Sequence, residues 1–128
     1  MQDPPRAPEL IEAVREFLER ILPELKGHSA FHGRVAANVL DIVKRELELA
    51  PTTDAAEHAR LRVLLGTDGT LDELNRLLCQ RITSGEMPLE APGLIEHLRE
   101  TTLAKLAVDQ PRYPGYRRAL ARWGRQDT

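Results

Sequence analysis

Apolar residues recur at three- and four-residue steps along most of this chain, and that period predicts helices from end to end. Leu10, Val14, Phe17, Leu18, Ile21 and Leu25 alternate with Glu and Arg, which sets a first helix over about Pro8 to Leu22. Pro8 suits a first turn, where its missing N–H has no intrahelical partner to lose, and Pro23 ends the run. With Ser29 as N-cap, a second helix is predicted to Leu49, stopped by Pro51. Val35, Ala36, Val39, Leu40, Ile42, Val43 and Leu47 form its wide apolar face. Arg34, Ala37, Asp41, Lys44, Arg45 and Glu48 fall mostly on the other side.

A third helix is predicted to open at Thr53 or Asp54, where Asp54 and Glu57 have capping-box spacing. Leu61, Leu64 and Leu65 face inward on it, and Gly66 closes it. Thr70 and Glu73 make a regular capping box for a fourth helix, which turns Leu71, Leu74, Leu78 and Ile82 inward and ends at Ser84-Gly85. A fifth runs from about Gly93 to Asp109, its apolar residues spread over more than one face. After Pro111 and Pro114 comes a short amphipathic stretch, with Tyr116, Ala119, Leu120 and Trp123 on one side and Arg117, Arg118 and Arg122 on the other. No segment alternates as a strand does. The pattern therefore predicts an all-α, single-domain, up-and-down bundle of about five helices plus a short C-terminal amphipathic helix. Residues 1–111 form the bundle, and residues 112–128 form a basic-aromatic segment packed on it or extending from it.

Composition narrows this frame. A chain of 128 residues holds one core without needing disulfides or a structural metal. Aromatics are only 4%, so that core is aliphatic. Cys79 is the sole cysteine, which precludes an internal disulfide and favours a reducing compartment. The N-terminus lacks the basic start and apolar stretch of a signal peptide, and no apolar run approaches the roughly 20 residues that span a bilayer. A cytoplasmic location away from membranes is expected. The net charge of −2 divides unevenly: residues 112–128 carry five Arg against one Asp, and the remainder is acidic. The tail has a composition that can meet phosphates and stack on bases, but the acidic remainder argues against nucleic acid.

Several chemistries common on helical bundles are missing. A di-iron site needs Glu-x-x-His pairs, yet Leu25, Ser29, Ala55 and Leu94 precede the four histidines by three. There is no His-Glu-x-x-His, Cys-x-x-Cys, phosphate-binding glycine loop or dinucleotide turn. No catalytic residue, metal set or cofactor is therefore assigned. His28 and His32 have the four-residue spacing of helical ligands, but His28 falls outside the predicted helix. His32 lies near the middle of the second helix's apolar face, either as a satisfied half-buried histidine or as a pocket contact. Arg34 and Asn38 share one flank, suited to an anion or amide, or to an inter-helix tie. Glu46 also turns toward the apolar side, where an Arg such as Arg76, Arg81 or Arg99 is its economical partner. Cys79 has no local activator and is expected to be a small packing residue.

Residues 30–49, Leu74-Asn75-Arg76-Leu77-Leu78-Cys79, and Leu98 to Leu106 running on to Asp109-Gln110-Pro111-Arg112-Tyr113 resemble a family of short bacterial proteins. It is catalogued as domain of unknown function 6285. His-x-Arg-Val-Ala-Ala-Asn is the most specific part of a resemblance that covers nearly the whole chain. Members accompany acyl-CoA dehydrogenases and aminoglycoside-phosphotransferase-like kinases, which implies an accessory role by association. The matching polar positions are His32, Arg34, Asn38, Lys105 and Tyr113. The expected function is a non-enzymatic accessory domain that binds a protein partner or itself, with Tyr116, Arg117 and Trp123 as contacts. The alternative is a pocket around His32 and Arg34, completed by Asn38, Lys105 and Tyr113, for an anionic acyl-CoA or phosphate ester.

Overall fold

A computed structural model describes residues 3–124, and every regular element among them is helical. Helix α1 spans Ala7–Ile21 and runs into one 3-10 turn, Leu22–Glu24. Helix α2 spans Gly27–Leu65, α3 Leu71–Ser84, α4 Leu94–Asp109 and α5 Pro114–Trp123. Pro8 lies in the first turn of α1, and Glu9 accepts from the Arg6 backbone N–H at 3.2 Å. The Thr70–Glu73 capping box forms in both directions, at 3.1 and 2.9 Å. Each bond satisfies an N–H that the first helical turn leaves unpaired. Gly66 and Gly85 follow α2 and α3 at φ +68 and +85, a conformation that side chains with a Cβ rarely adopt.

Two expectations are corrected on α2. Pro51 does not stop the helix but lies inside it, so the second and third predicted helices are one. Proline removes a single i→i−4 bond and crowds one carbonyl, at about 3 kcal/mol in a helix interior. Long helical runs on both sides carry the backbone through. Asp54 is thus not a cap, and Glu57 accepts from Asn75 Nδ2 at 3.0 Å instead of closing a capping box. Ser29 is not a cap either. The helix begins at Gly27, whose φ of +59 turns the chain into it, and His28 lies in its first turn.

The chain divides into two compact units, Met1–Ala50 and Pro51–Thr128. In the first, α1 runs antiparallel to α2: Glu12 pairs with Lys44 at 2.9 Å, Arg15 with Asp41, and the Leu22 and Leu25 side chains lie on Gly33. Gly33 and Ala37 are the buried positions among this unit's described residues, and Ile11, Leu18, Ile21, Leu22 and Leu25 are half-buried. A Cβ on Gly33 would stand 2.9 Å from Leu22 Cδ2, so the close approach uses the missing side chain. Ala37, Asp41 and Lys44 belong to the side that the pattern gave to solvent, while Ala36, Leu40 and Ile42 of the predicted apolar face are half-buried. The more apolar side is open: Phe31, Val35, Val39, Val43 and Leu47 are 36–59% exposed. Leu10, Val14 and Phe17 on α1 are open as well.

The second unit has an aliphatic core. Leu61 and Leu65 of α2 meet Leu74 and Leu78 of α3, Met87 of the following loop and Leu94 of α4. Leu61 is fully buried, and covering such a side chain contributes roughly 1.5–3 kcal/mol. Arg81 reaches back to cap the Leu65 carbonyl at 2.9 Å, and His58 Nε2 lies 2.8 Å from the Gly69 oxygen, tying the α2–α3 turn. Helix α5 packs on α4, with the Arg99 guanidinium 5.2 Å from the Trp123 ring centre. Residues 125–128, the end of the basic-aromatic segment, lie outside the described residues. No helix among the described residues is long and apolar enough to cross a membrane.

Candidate functional site

In the second unit one histidine is buried among charged neighbours. His97 sits one turn into α4, on the side that Leu94 turns into the core, and is 2% exposed. Arg60 of α2 donates from Nε to His97 Nδ1 at 3.3 Å. The same guanidinium donates to Thr101 Oγ1 at 3.2 Å and pairs with Glu100 Oε2 at 2.9 Å. All three of its nitrogens are engaged.

This geometry sets the state of the ring. An arginine N–H only donates, so Nδ1 presents its lone pair and the ring proton resides on Nε2. Burial, and after it the Arg60 charge, hold the His97 pKa below the ordinary histidine value of 6.5. The imidazole is neutral, and its Nε2 is buried without a partner among the described residues. Such a ring offers a fixed N–H donor. It does not offer a base, because one nitrogen carries the proton and the other is occupied.

His97 lines a cavity of about 460 Å³ whose walls include Val63, Leu64, Pro92 and Gly93, with Arg60 beside it. Gly93 precedes α4 at φ +86, and its carbonyl accepts from the His97 N–H at 3.0 Å. A second cavity, of about 400 Å³ in the first unit, is lined mainly by Glu9, Glu12, Glu16, Glu48 and Lys44. Lys44 already serves Glu12, which lies below its usual carboxylate value chiefly through that hydrogen bond, and Lys44 is raised by the same bond.

The residues singled out from sequence are placed differently. His32, Arg34 and Asn38 are exposed on α2. His32 and Arg34, two positions apart at about 100° per residue, leave the helix on nearly opposite sides. His32 instead meets the neighbouring Phe31 ring edge-on at 5.5 Å. In the second unit Lys105 is exposed on α4, and the Tyr113 ring lies over Gly115, where a Cβ would come within 2.5 Å of it. Tyr116 and Trp123 are half-buried and Arg117 is exposed. Neither cavity described above is lined by any of them. Arg76, Arg81 and Arg99, the partners suggested for Glu46, are engaged within the second unit by Asp72, by the Leu65 carbonyl and by Trp123. Cys79 is exposed rather than packed. His28 does share a helix with His32, yet no group of three metal-ligating side chains occurs among the described residues. Sequence reasoning missed His97 and Arg60. The available signal was the three-residue step from Leu94 to His97 on a helix whose apolar positions were too dispersed to define one face.

A family model described as Domain of unknown function (DUF6285) matches residues 23–113. The chain belongs to this family. No curated protein and no solved structure matches it. The stretch matched to the DUF6285 model contains α2, α3 and α4, and so holds both the open stripe of α2 and the Arg60–His97 cluster. Helix α1 and helix α5 lie outside it.

Proposed function

We propose that this DUF6285 chain is a non-enzymatic interaction domain whose α2 stripe pairs with the same stripe of a second copy. One observation carries the reading: five open apolar positions, Phe31, Val35, Val39, Val43 and Leu47, are arranged symmetrically about Val39, and Leu49 of the same half lies outside that pattern. Four residues to either side stand Val35 and Val43; eight to either side stand Phe31 and Leu47. Seven to either side stand His32 and Glu46, both exposed. At 100° per residue, His32 and Glu46 both project within about 20° of Val39. In a two-fold contact, residue i meets j while j meets i, so a surface must match itself read backwards. Two antiparallel α2 helices crossing at Val39 satisfy this, at the shallow angle of about 20° common in bundles. Val39 then meets its own copy and His32 of one copy meets Glu46 of the other, while Phe31 and Leu47, about 80° off the contact line, stand along its edges. The open α1 residues Leu10, Val14 and Phe17 lack this symmetry and are not part of the contact.

Sedimentation equilibrium of the full chain tests the reading. The wild-type chain is expected to dimerise with rising concentration, and Val39→Glu to stay monomeric with unchanged helical circular dichroism. His32→Glu and Glu46→Lys should each weaken the dimer by about tenfold, and the double substitution should restore it. A wild-type monomer throughout the micromolar-to-submillimolar range overturns the proposal. A dimer indifferent to the charge exchange overturns the register about Val39.

A further inference from the structure

We infer that the cavity beside His97 is a binding slot for a small apolar molecule carrying one uncharged oxygen acceptor, such as a ketone, ester or amide carbonyl. Three features of the second unit, independent of the α2 stripe, lead there. The walls are hydrocarbon: Leu64 and Pro92 line it, and Val63, 86% exposed, stands at it as an open apolar side chain. Gly93 contributes no side chain, and a Cβ there would come 3.8 Å from Leu64 Cδ1. Among the side chains that line it, His97 carries the nitrogen left unpartnered among the described residues, Nε2–H, which is itself buried.

The chemistry of that donor selects the ligand. A buried donor left unmatched costs about 1–3 kcal/mol, so an oxygen that accepts from Nε2 recovers more than apolar filling alone. Its neighbour Arg60 is not available as an anion clamp, because Glu100 neutralises it and its nitrogens are taken up by His97, Thr101 and Glu100. A carboxylate entering the slot would lose its hydration and meet one neutral N–H. A carbonyl surrenders much less hydration for the same bond. The ring is also locked in orientation, since its other nitrogen is fastened to Arg60.

The slot is tested with cyclohexanone on the full-length chain, following the His97 ring nitrogens by long-range nitrogen–proton correlation. A saturable shift centred on Nε2 is expected in the millimolar range. Methylenecyclohexane, which replaces the oxygen by CH2 at the same shape, should bind about tenfold more weakly, and cyclohexanecarboxylate no better than it. His97→Gln, whose amide can accept from Arg60 and donate into the slot, should keep cyclohexanone affinity within a few-fold, read from Gln side-chain and Val63 methyl shifts. His97→Leu should lose it, with circular dichroism confirming the fold. No saturable shift, equal binding of the ketone and the hydrocarbon, or tighter binding of the carboxylate overturns the inference.

Discussion

The two halves of α2 are built from the same residue types and do opposite things. Beyond Pro51, Leu61 and Leu65 are buried in a core with Leu74, Leu78, Met87 and Leu94. Before it, the helix gives α1 its small and polar edge, around Gly33, Ala37, Asp41 and Lys44, and leaves Val35, Val39 and Val43 open. The difference shows that an apolar stripe at helical spacing states a need for cover without saying what supplies it. In the second unit the cover is local, because α3 and α4 follow within short connections. In the first, α1 offers half-buried Ile11, Leu18 and Ile21, ion pairs and the contact on Gly33, and the stripe stays open.

Substitutions of matched size in the two halves sharpen that contrast. Leu61→Ala should destabilise the chain by about 3–4 kcal/mol in urea unfolding, since it removes a fully buried side chain and leaves a cavity. His97→Leu should cost about 2 kcal/mol, because the Arg60 Nε–H loses its acceptor inside the unit. Thr70→Ala should cost about 1 kcal/mol through the lost N-cap. Val39→Ala, measured at concentrations low enough to keep the chain monomeric, should cost less than about 0.5 kcal/mol. A loss at Val39 comparable to that at Leu61 would break the comparison by showing that the stripe is already covered.

Acid distinguishes the two regions as well. The folded His97 pKa lies below its unfolded value, so above 6.5 the ring is neutral in both states and folding carries no proton penalty. As the pH falls below 6.5 the unfolded chain binds a proton that the folded one resists, and stability declines toward the folded pKa. His97→Gln should flatten that decline in denaturant midpoints taken between pH 7.5 and 5. An unchanged slope would assign the acid sensitivity elsewhere. Glu12 and Lys44 lie on the solvent-washed seam, and Glu12→Gln should leave the melting temperature nearly unchanged at high salt.

What was legible in the sequence follows from the range of the forces involved. Thr70, Glu73, Gly66 and Gly85 act on backbone within one turn, so their signals survive without tertiary knowledge. Pro51 failed as a stop because a local penalty of about 3 kcal/mol was set against long helical runs on either side. The inward face of α2 was misjudged for another reason. Hydrophobicity pointed to Val39, whereas the close approach of Leu22 and Leu25 required the bare backbone of Gly33, on the other side of the helix. His97 and Arg60 are 37 positions apart, and nothing local announces that they meet. His32, Arg34 and Asn38 were legible as a motif of the family stretch, but the helix turns His32 away from the flank that Arg34 and Asn38 share.

The most direct measurement is oxidative cross-linking of a cysteine placed at Val39 in a Cys79→Ser background. A residue on the two-fold axis meets its own copy, so Val39→Cys should give a covalent dimer in high yield. Phe31→Cys, displaced by about 12 Å along each helix from the axis, should give almost none. A Val39→Cys chain that stays uncross-linked, or cross-links no better than the Phe31→Cys control, would contradict the pairing of the two stripes.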